Sequence, residues 1–411
     1  MNADSAQQAL IVAERLLKPD DVITAVRTSA AGSLAHGLAG TALLHARLSA
    51  TDQVFAEAAA AHWSEAAIQA KRVEQDGIGT YHSPGGLAAS LIIGTPYLPD
   101  PETQNDATAR GTRWMSACAV ELAERHRGYL AAGGVGTPWR VYDTLTGLSG
   151  IGRILLAAVQ SGHDAEPGLL AALDALTTMV RTRHGARPGW WSPANQHPKG
   201  VKVDPSGAAN TGMAHGIAGP LAFLSVAHLA GYSVAGQSTA IREAAHWLLR
   251  WRTDGIATWP PHITGKELDT SVATPVPGRR DAWCYGIPGI SRSIALAGRA
   301  TGDPALTKAA KTAITSLNAR PSCQWDVEGP TLCHGYAGAL QSTATNRAAK
   351  AVMDLFDPDQ RFGFQNIGNH ITKDEPGFLI GAAGVALALA DYGDLPARDV
   401  TARWDALLLL S

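Results

Sequence analysis

Cysteine is scarce, with four residues in 411, too few for the disulfide framework that staples small secreted domains. An excess of one charge is lacking too: 34 Lys and Arg nearly balance 36 Asp and Glu, so no net field draws the chain toward nucleic acid or an anionic membrane. No apolar run reaches the roughly 20 residues that span a bilayer. The stretch from Phe378 to Ala390 is short and broken by glycine. Residues Met1 to Ala9 are polar and include Asp4, without the charged start, apolar stretch and cleavage site of a secretory signal. These absences lead us to expect a cytoplasmic protein with no membrane span, whose cysteines stay thiols. With 45% hydrophobic residues the chain can bury a large core, and its length alone would allow two or three domains.

What is present is an internal repeat. A glycine-rich turn followed by small and apolar residues recurs seven times. The first four are Ser33-Leu-Ala-His-Gly-Leu-Ala-Gly40, Ser83-Pro-Gly-Gly-Leu-Ala-Ala89, Leu145-Thr-Gly-Leu-Ser-Gly-Ile-Gly152 and Ala214-His-Gly-Ile-Ala-Gly219. Cys284-Tyr-Gly-Ile-Pro-Gly-Ile290, Cys333-His-Gly-Tyr-Ala-Gly338 and Ile380-Gly-Ala-Ala-Gly384 complete the set. Runs such as Gly152 to Ala158 and Gly384 to Leu389 read as helices apolar nearly all round, which must be buried. Between them Glu57 to Lys71, Thr112 to Arg125, Leu169 to Arg181 and Ala240 to Trp251 carry charge on one face. Seven buried helices alternating with seven half-exposed ones find cover in a closed ring of hairpins. The expected fold is therefore all-α, a single α/α toroid over residues 1–411 with seven inner and seven outer helices. The repeated glycines supply positive φ or close backbone approach at one end of the inner layer. The spacing stretches near 92–142 and 185–282, where Arg187 to Pro193 and Thr274 to Gly278 read as long surface loops.

Three turns differ from the rest by carrying Cys, His or Cys-His just before the glycine. Cys284, Cys333 and His334 hold equivalent places in consecutive repeats, so a toroid brings them together despite their separation in sequence. Two thiolates and an imidazole suit tetrahedral zinc, with a fourth position left open. Two thiolates also neutralise the formal charge of Zn²⁺, which favours an electron-rich bound sulfur over a polarised carbonyl. The set suits activation of a thiol, since the thiolate is the nucleophilic form. The other cysteines carry no such pattern. Cys118, on an apparent helix among Met115, Val120 and Leu122, reads as a small buried hydrophobe, and Cys323 is read the same way.

On the turns Ala214 to Gly219, Trp283 to Gly289 and Leu332 to Gly338, in that order, the sequence resembles the lanthionine synthetase C family, the cyclases of class I lanthipeptide biosynthesis. The resemblance spans nearly the whole chain. It implies a seven-fold α/α toroid, one zinc per chain, and addition of a peptide Cys thiol to dehydroalanine or dehydrobutyrine in the same peptide. The implied partner is a dehydrated precursor peptide with its leader, and a complex with a dehydratase or an export transporter is compatible with it.

Such an addition creates an enolate and needs a donor for the oxyanion and an acid for the α-carbon. His215 is the expected acid, standing before the glycine of its own turn and titrating, when unperturbed, at about 6.5. Asp143 can orient His215 or take the thiol proton, with helix N-capping as its competing role. Arg280, four residues before Cys284, can stabilise the enolate, whereas Arg279 and Asp281 read as a solvated face or surface pair. Tyr285 either donates a hydrogen bond to the intermediate or packs its ring. His36, in a similar setting in the first turn, is read as structural. Trp247, Trp251, Trp259 and Trp283 read as core, while Trp190 and Trp191, among Pro and Gly, read as a loop touching substrate.

Two other functions fit parts of the pattern. A protein prenyltransferase β-subunit is also an α/α toroid whose zinc activates a peptide thiol, but it needs an aspartate ligand and a helical partner subunit. A related zinc protein that adds glutathione, or serves as a binding scaffold, would carry the same ligands.

Overall fold

The computed structural model describes residues 2–72, 78–197, 200, 202–253, 258–273, 280–368 and 371–411. Among these, each of the seven turns runs into a helix: Leu38–Leu48, Gly85–Gly94, Leu148–Gln160, Ala218–Leu229, Ile287–Thr301, Tyr336–Thr343 and Ala382–Tyr392. Every residue of Leu38–Leu48 is buried, as is Ala382–Tyr392 up to Ala390. The small and apolar composition of these segments therefore does what it predicts. The segments with a wet face form the helices Gln53–Ala70, Asn105–Ala131, Glu166–Arg181 and Gln237–Arg250, joined by Asn2–Arg15, Pro304–Ala319 and Asn346–Met353. Among the described residues no helix is long and apolar enough to cross a membrane.

The chain divides into two compact units. Met1–Met115, Ala157–Asp164 and Val327–Leu407 make one; Ser116–Leu156, Ala165–Asp326 and Leu408–Ser411 make the other. In the first, Leu38–Leu48 packs on Gln53–Ala70, Gly85–Gly94 and Ala382–Tyr392, and Asn2–Arg15 covers Ala382–Tyr392. In the second, Ile287–Thr301 packs on Pro304–Ala319 and Ala218–Leu229, with Gln237–Arg250 against Glu166–Arg181. Among the described residues three two-stranded antiparallel ribbons are added: Arg183–His184 with Arg187–Pro188, Ala208–Asn210 with His262–Thr264, and Asn366–Gly368 with Ile371–Lys373. Of the two stretched intervals, 92–142 holds the 27-residue helix Asn105–Ala131 and the short helix Trp139–Tyr142.

One backbone device explains the repeat. The first N–H groups of a helix have no partner within it, and here they donate to carbonyls seven residues upstream. Leu38 donates to Ala31, Ile217 to Asn210, Ala218 to Thr211, Tyr336 to Gly329, Ala337 to Pro330, Ala382 to Glu375 and Ala383 to Pro376, at 2.8–3.4 Å. The upstream loop thus lies directly over the helix start and caps it without side chains. Such contact leaves little room for a Cβ, which accounts for the glycines; close approach is their commoner service, and positive φ is needed at Gly286 (φ 103°).

Backbone bonds also tie neighbouring turns at equivalent residues. In the second unit the Thr144 N–H donates to Ala214 O (3.0 Å) and the Ala214 N–H to Cys284 O (3.2 Å). In the first unit Cys333 donates to Leu379 O (2.9 Å), Leu379 to Ala35 O (3.1 Å) and Ala35 to Tyr81 O (3.0 Å). The residue that follows in each turn is His215, Tyr285, His334, Ile380, His36 or His82, with Leu145 after Thr144. Of these side chains, His36 and His82 are close enough to interact.

Candidate metal and acid–base site

The Cys284 turn is fixed at both ends. Asp281, fully buried, takes two bonds from the Arg320 guanidinium (2.8 and 3.0 Å) and one from the Asp326 N–H (3.0 Å). The expectation that Asp281 belongs to a solvated face is thus corrected: its partner lies 39 residues on, out of reach of local reading. Ala282 N–H donates to Tyr285 O (3.1 Å), and the Trp283 indole donates to Leu408 O (2.9 Å). A Cβ at Gly286 would stand 1.5 Å from Arg280 O, so only glycine closes this turn. Cys284 is buried and its carbonyl accepts from both Met213 and Ala214. Cys333 is half-buried, and the His334 carbonyl accepts from the Glu328 N–H (2.8 Å).

One ligand atom from each of Cys284, Cys333 and His334 lies within 4.8 Å of the others. Around tetrahedral zinc, with Zn–S of about 2.3 Å and Zn–N of about 2.1 Å, such atoms stand roughly 3.5–3.8 Å apart. The thiol and imidazole donors of the cluster are the types zinc prefers. The residues fit the metal. Glu328 Oε2 stands 4.0 Å from His334 Nε2, close to where a carboxylate partner orients a ligating imidazole.

His215 comes one residue after Ala214, whose N–H is bonded to the Cys284 carbonyl. The strand Ala208–Asn210 leads into this turn and the Asn210 carbonyl caps the helix that follows. Asp143 is 1% exposed and its two oxygens divide the work: Oδ1 accepts from Thr146 N–H (2.6 Å), Thr146 hydroxyl (3.0 Å) and Gly147 N–H (2.8 Å), while Oδ2 lies 2.7 Å from His215 Nδ1. One carboxylate thus bonds both its own turn and the His215 imidazole. Trp139 stacks on the imidazole, centroids 4.8 Å apart and planes 20° from parallel, and the Tyr142 hydroxyl donates to His215 O (3.3 Å). His215 is thereby held on one face and at Nδ1, and no described residue bonds its Nε2. Tyr285 lies against the same turn, for a Cβ at Gly212 would stand 2.5 Å from its ring. Arg280 is half-buried beside it. Sequence reading missed Trp139, although an aromatic residue four places before Asp143 was there to be weighed.

Other expectations fall elsewhere. His36 pairs with Glu375. Cys118 is buried and its thiol pKa is pushed up by that burial and by Glu121, as a small hydrophobe's would be. Cys323 is exposed in the turn Ser322–Gln324, which corrects its reading as buried. Trp190 and Trp191 are 0% and 5% exposed, so they do not form a substrate-touching loop. Trp190 packs edge-on against Trp247, and Trp191 lies under the Arg187 guanidinium and donates to Ser206 O. A Pro and Gly-rich segment has here folded onto its neighbours. Thr274 to Gly278 and Arg279 lie outside the described residues.

Two thiols and an imidazole gathered at the repeated turns of an all-α protein, with a carboxylate-held histidine beside one of them, define a helical-repeat protein with a Cys–His cluster of a type that can hold a metal. The family model described as lanthionine synthetase C-like protein matches residues 28–409, and the chain belongs to that family. It is similar to the nisin biosynthesis protein NisC of Lactococcus lactis subsp. lactis, 25% identical over 261 residues. That alignment takes in 61% of this chain and 60% of the relative's length. Among solved structures it resembles nisin cyclase, with a TM-score of 0.77 at 21% identity, covering 97% of this chain and 96% of the other. This likeness shows the fold, the all-α toroid expected from the seven turns.

Proposed function

We propose that the protein is a zinc-dependent lanthipeptide cyclase, closing thioether rings by adding peptide Cys thiols to dehydroalanine or dehydrobutyrine within a dehydrated precursor. The observation that carries this reading is the convergence of Cys284, Cys333 and His334 within 4.8 Å. The Asp143–His215 pair, on the turn hydrogen-bonded to Cys284, and family membership support it. Cys284, Cys333 and His334 would hold the zinc, which would supply the Lewis acidity to keep a substrate thiol as its thiolate at neutral pH. The chain's own residues do the rest. As sulfur bonds to the β-carbon, the C=C pair moves onto the carbonyl oxygen. Arg280 and Tyr285 are the donors assigned to that developing oxyanion. His215, set by Asp143 and Trp139, gives a proton from Nε2 to the α-carbon. One proton leaves sulfur and one reaches carbon, so mass is conserved.

The test follows from that balance. Purified protein is incubated with a peptide carrying one dehydroalanine and one cysteine; loss of free thiol at unchanged mass is the expected result. A mass gain on addition of prenyl diphosphate or glutathione, without ring closure, would overturn it in favour of thiol alkylation or glutathione addition.

A further inference from the structure

A second histidine–carboxylate pair stands in the turns and has no part in the reaction just described. His36 precedes the glycine of the first turn, the place that His215 and His334 hold in theirs. Its Nδ1 lies 3.3 Å from Glu375 Oε2, with side-chain exposures of 33% and 15%, and no described residue bonds its Nε2. The pairing depends on Gly377: a Cβ there would stand 2.3 Å from the His36 carbonyl carbon and 2.5 Å from Ala35 O. Only glycine lets Glu375 to Gly377 lie against the His36 backbone. Glu375 is further fixed by its carbonyl, which accepts from Ala382 (2.8 Å). His82 follows next along the row, its pKa lowered by burial and by the neighbouring His36.

Position decides what this pair can do. Cys333 bonds to Leu379 and Leu379 to Ala35, all within one compact unit. At about 4.8 Å per hydrogen-bonded step, His36 stands roughly 10 Å along the row from Cys333. Proton exchange with a group at the metal centre needs about 3 Å, so His36 is not a second acid for that reaction. An extended peptide rises about 3.3 Å per residue, so the same 10 Å is about three residues of substrate. With Nδ1–H donated to Glu375, Nε2 is the atom of His36 left to meet a ligand, and in the neutral tautomer that Nδ1–H bond selects it is an oriented acceptor.

We propose that His36, held by Glu375, is a peptide-binding residue that accepts a hydrogen bond from the substrate backbone about three residues from the cysteine undergoing cyclisation. The inference rests on the cyclase reading for the nature of the peptide. It is tested with two synthetic substrates, a short peptide that ends at its dehydroalanine and its cysteine, and one extended by about four residues on both sides. For His36→Ala, KM for the extended peptide is expected to rise about fivefold to tenfold relative to KM for the short one, the loss of one oriented hydrogen bond. His36→Gln, which keeps an acceptor, should recover part of this, and Glu375→Gln should show a smaller rise. Equal effects on the two peptides, or a fall in kcat alone, would overturn the proposal. Binding of a fluorescein-labelled extended peptide with Ser for Cys and Ala for dehydroalanine separates the two levels. If the wild-type protein cyclises neither substrate, the cyclase reading fails, and a Kd for this probe that His36→Ala leaves unchanged still overturns the subsite.

Discussion

Lowering the pH from 7 to about 4.5 is expected to remove about 5 kcal/mol of stability through two buried histidines. His45 and His62 are both fully buried, on the helices Leu38–Leu48 and Gln53–Ala70. His45 Nε2–H donates to Leu16 O (3.0 Å), His62 Nε2–H to Leu17 O (3.1 Å), and the rings meet edge-on with centroids 5.0 Å apart. Burial is the main cause that lowers both: His45 from 6.5 to about 3, with the neighbouring His62 adding to it, and His62 from 6.5 to about 4. The unfolded chain therefore takes up two protons that the folded chain refuses. Their contribution is complete above about pH 6.5 and is lost as pH falls toward the folded values. Linkage gives about 1.36 kcal/mol per pH unit for each, hence roughly 2–3 kcal/mol for each at pH 4.5. A typical domain has about 5–15 kcal/mol in all, so this loss alone brings the fold near its limit. Urea unfolding at pH 7, about 5.5 and about 4.5 measures it directly, with His45→Gln/His62→Gln as the non-titrating reference. A difference in pH dependence of less than about 1 kcal/mol between wild type and that double variant would refute the reasoning.

Three further outcomes are expected at the site itself. Cys333→Ala leaves two ligands of three and should reduce bound zinc, read by inductively coupled plasma mass spectrometry, to well below one equivalent and abolish cyclisation; retention of either counts against the assignment. Asp143→Asn removes the charge that sets His215 and should lower kcat about 10- to 100-fold while bound zinc stays at the wild-type level, which separates a proton role from a metal role. Gly286→Ala forces a side chain onto a φ of 103° with Arg280 O in its way, so the Cys284 turn must shift. A loss of about 2–4 kcal/mol in urea unfolding, with impaired zinc binding, is expected.

The helices and the metal cluster were legible because their signals are local and repeated. A turn with glycine before small, apolar residues recurs often enough to reveal its period, and equivalence of position then pairs Cys284 with Cys333 across 48 intervening residues. His215 and Asp143 were legible by residue type, but that the two bond to each other is a tertiary fact. Failures came where composition stands for two environments at once. Arg187 to Pro193 has the residues of a surface loop, yet the ribbon Arg183–His184 with Arg187–Pro188 turns Trp190 and Trp191 inward. Asp281 sits beside two arginines in sequence and looks solvated, while its buried position is set by the distant Arg320. The exposure of Cys323 left no trace in the sequence.

The rows of hydrogen-bonded turn residues explain why chemistry could collect where it does. Thr144, Ala214 and Cys284 in one row, and Cys333, Leu379, Ala35 and Tyr81 in the other, are joined through backbone N–H and C=O groups, to which the Thr144 hydroxyl adds a bond to Met213 O (2.6 Å). Four of the helix starts beside them, at Leu38, Ile217, Tyr336 and Ala382, are capped by carbonyls seven residues upstream. A framework held by main-chain bonds places few demands on the side chains at these positions, and the sequence bears this out: hydroxyl, methyl, thiol, isobutyl and phenol groups occupy equivalent places. Where the backbone does the holding, a thiol or an imidazole can be exchanged for a methyl group without dismantling the turn. Part of the constraint falls on the glycines that keep the loops close, so Gly286 shares with side chains such as Asp281 and Trp283 in placing Cys284, and Gly377 takes part in placing the His36–Glu375 pair.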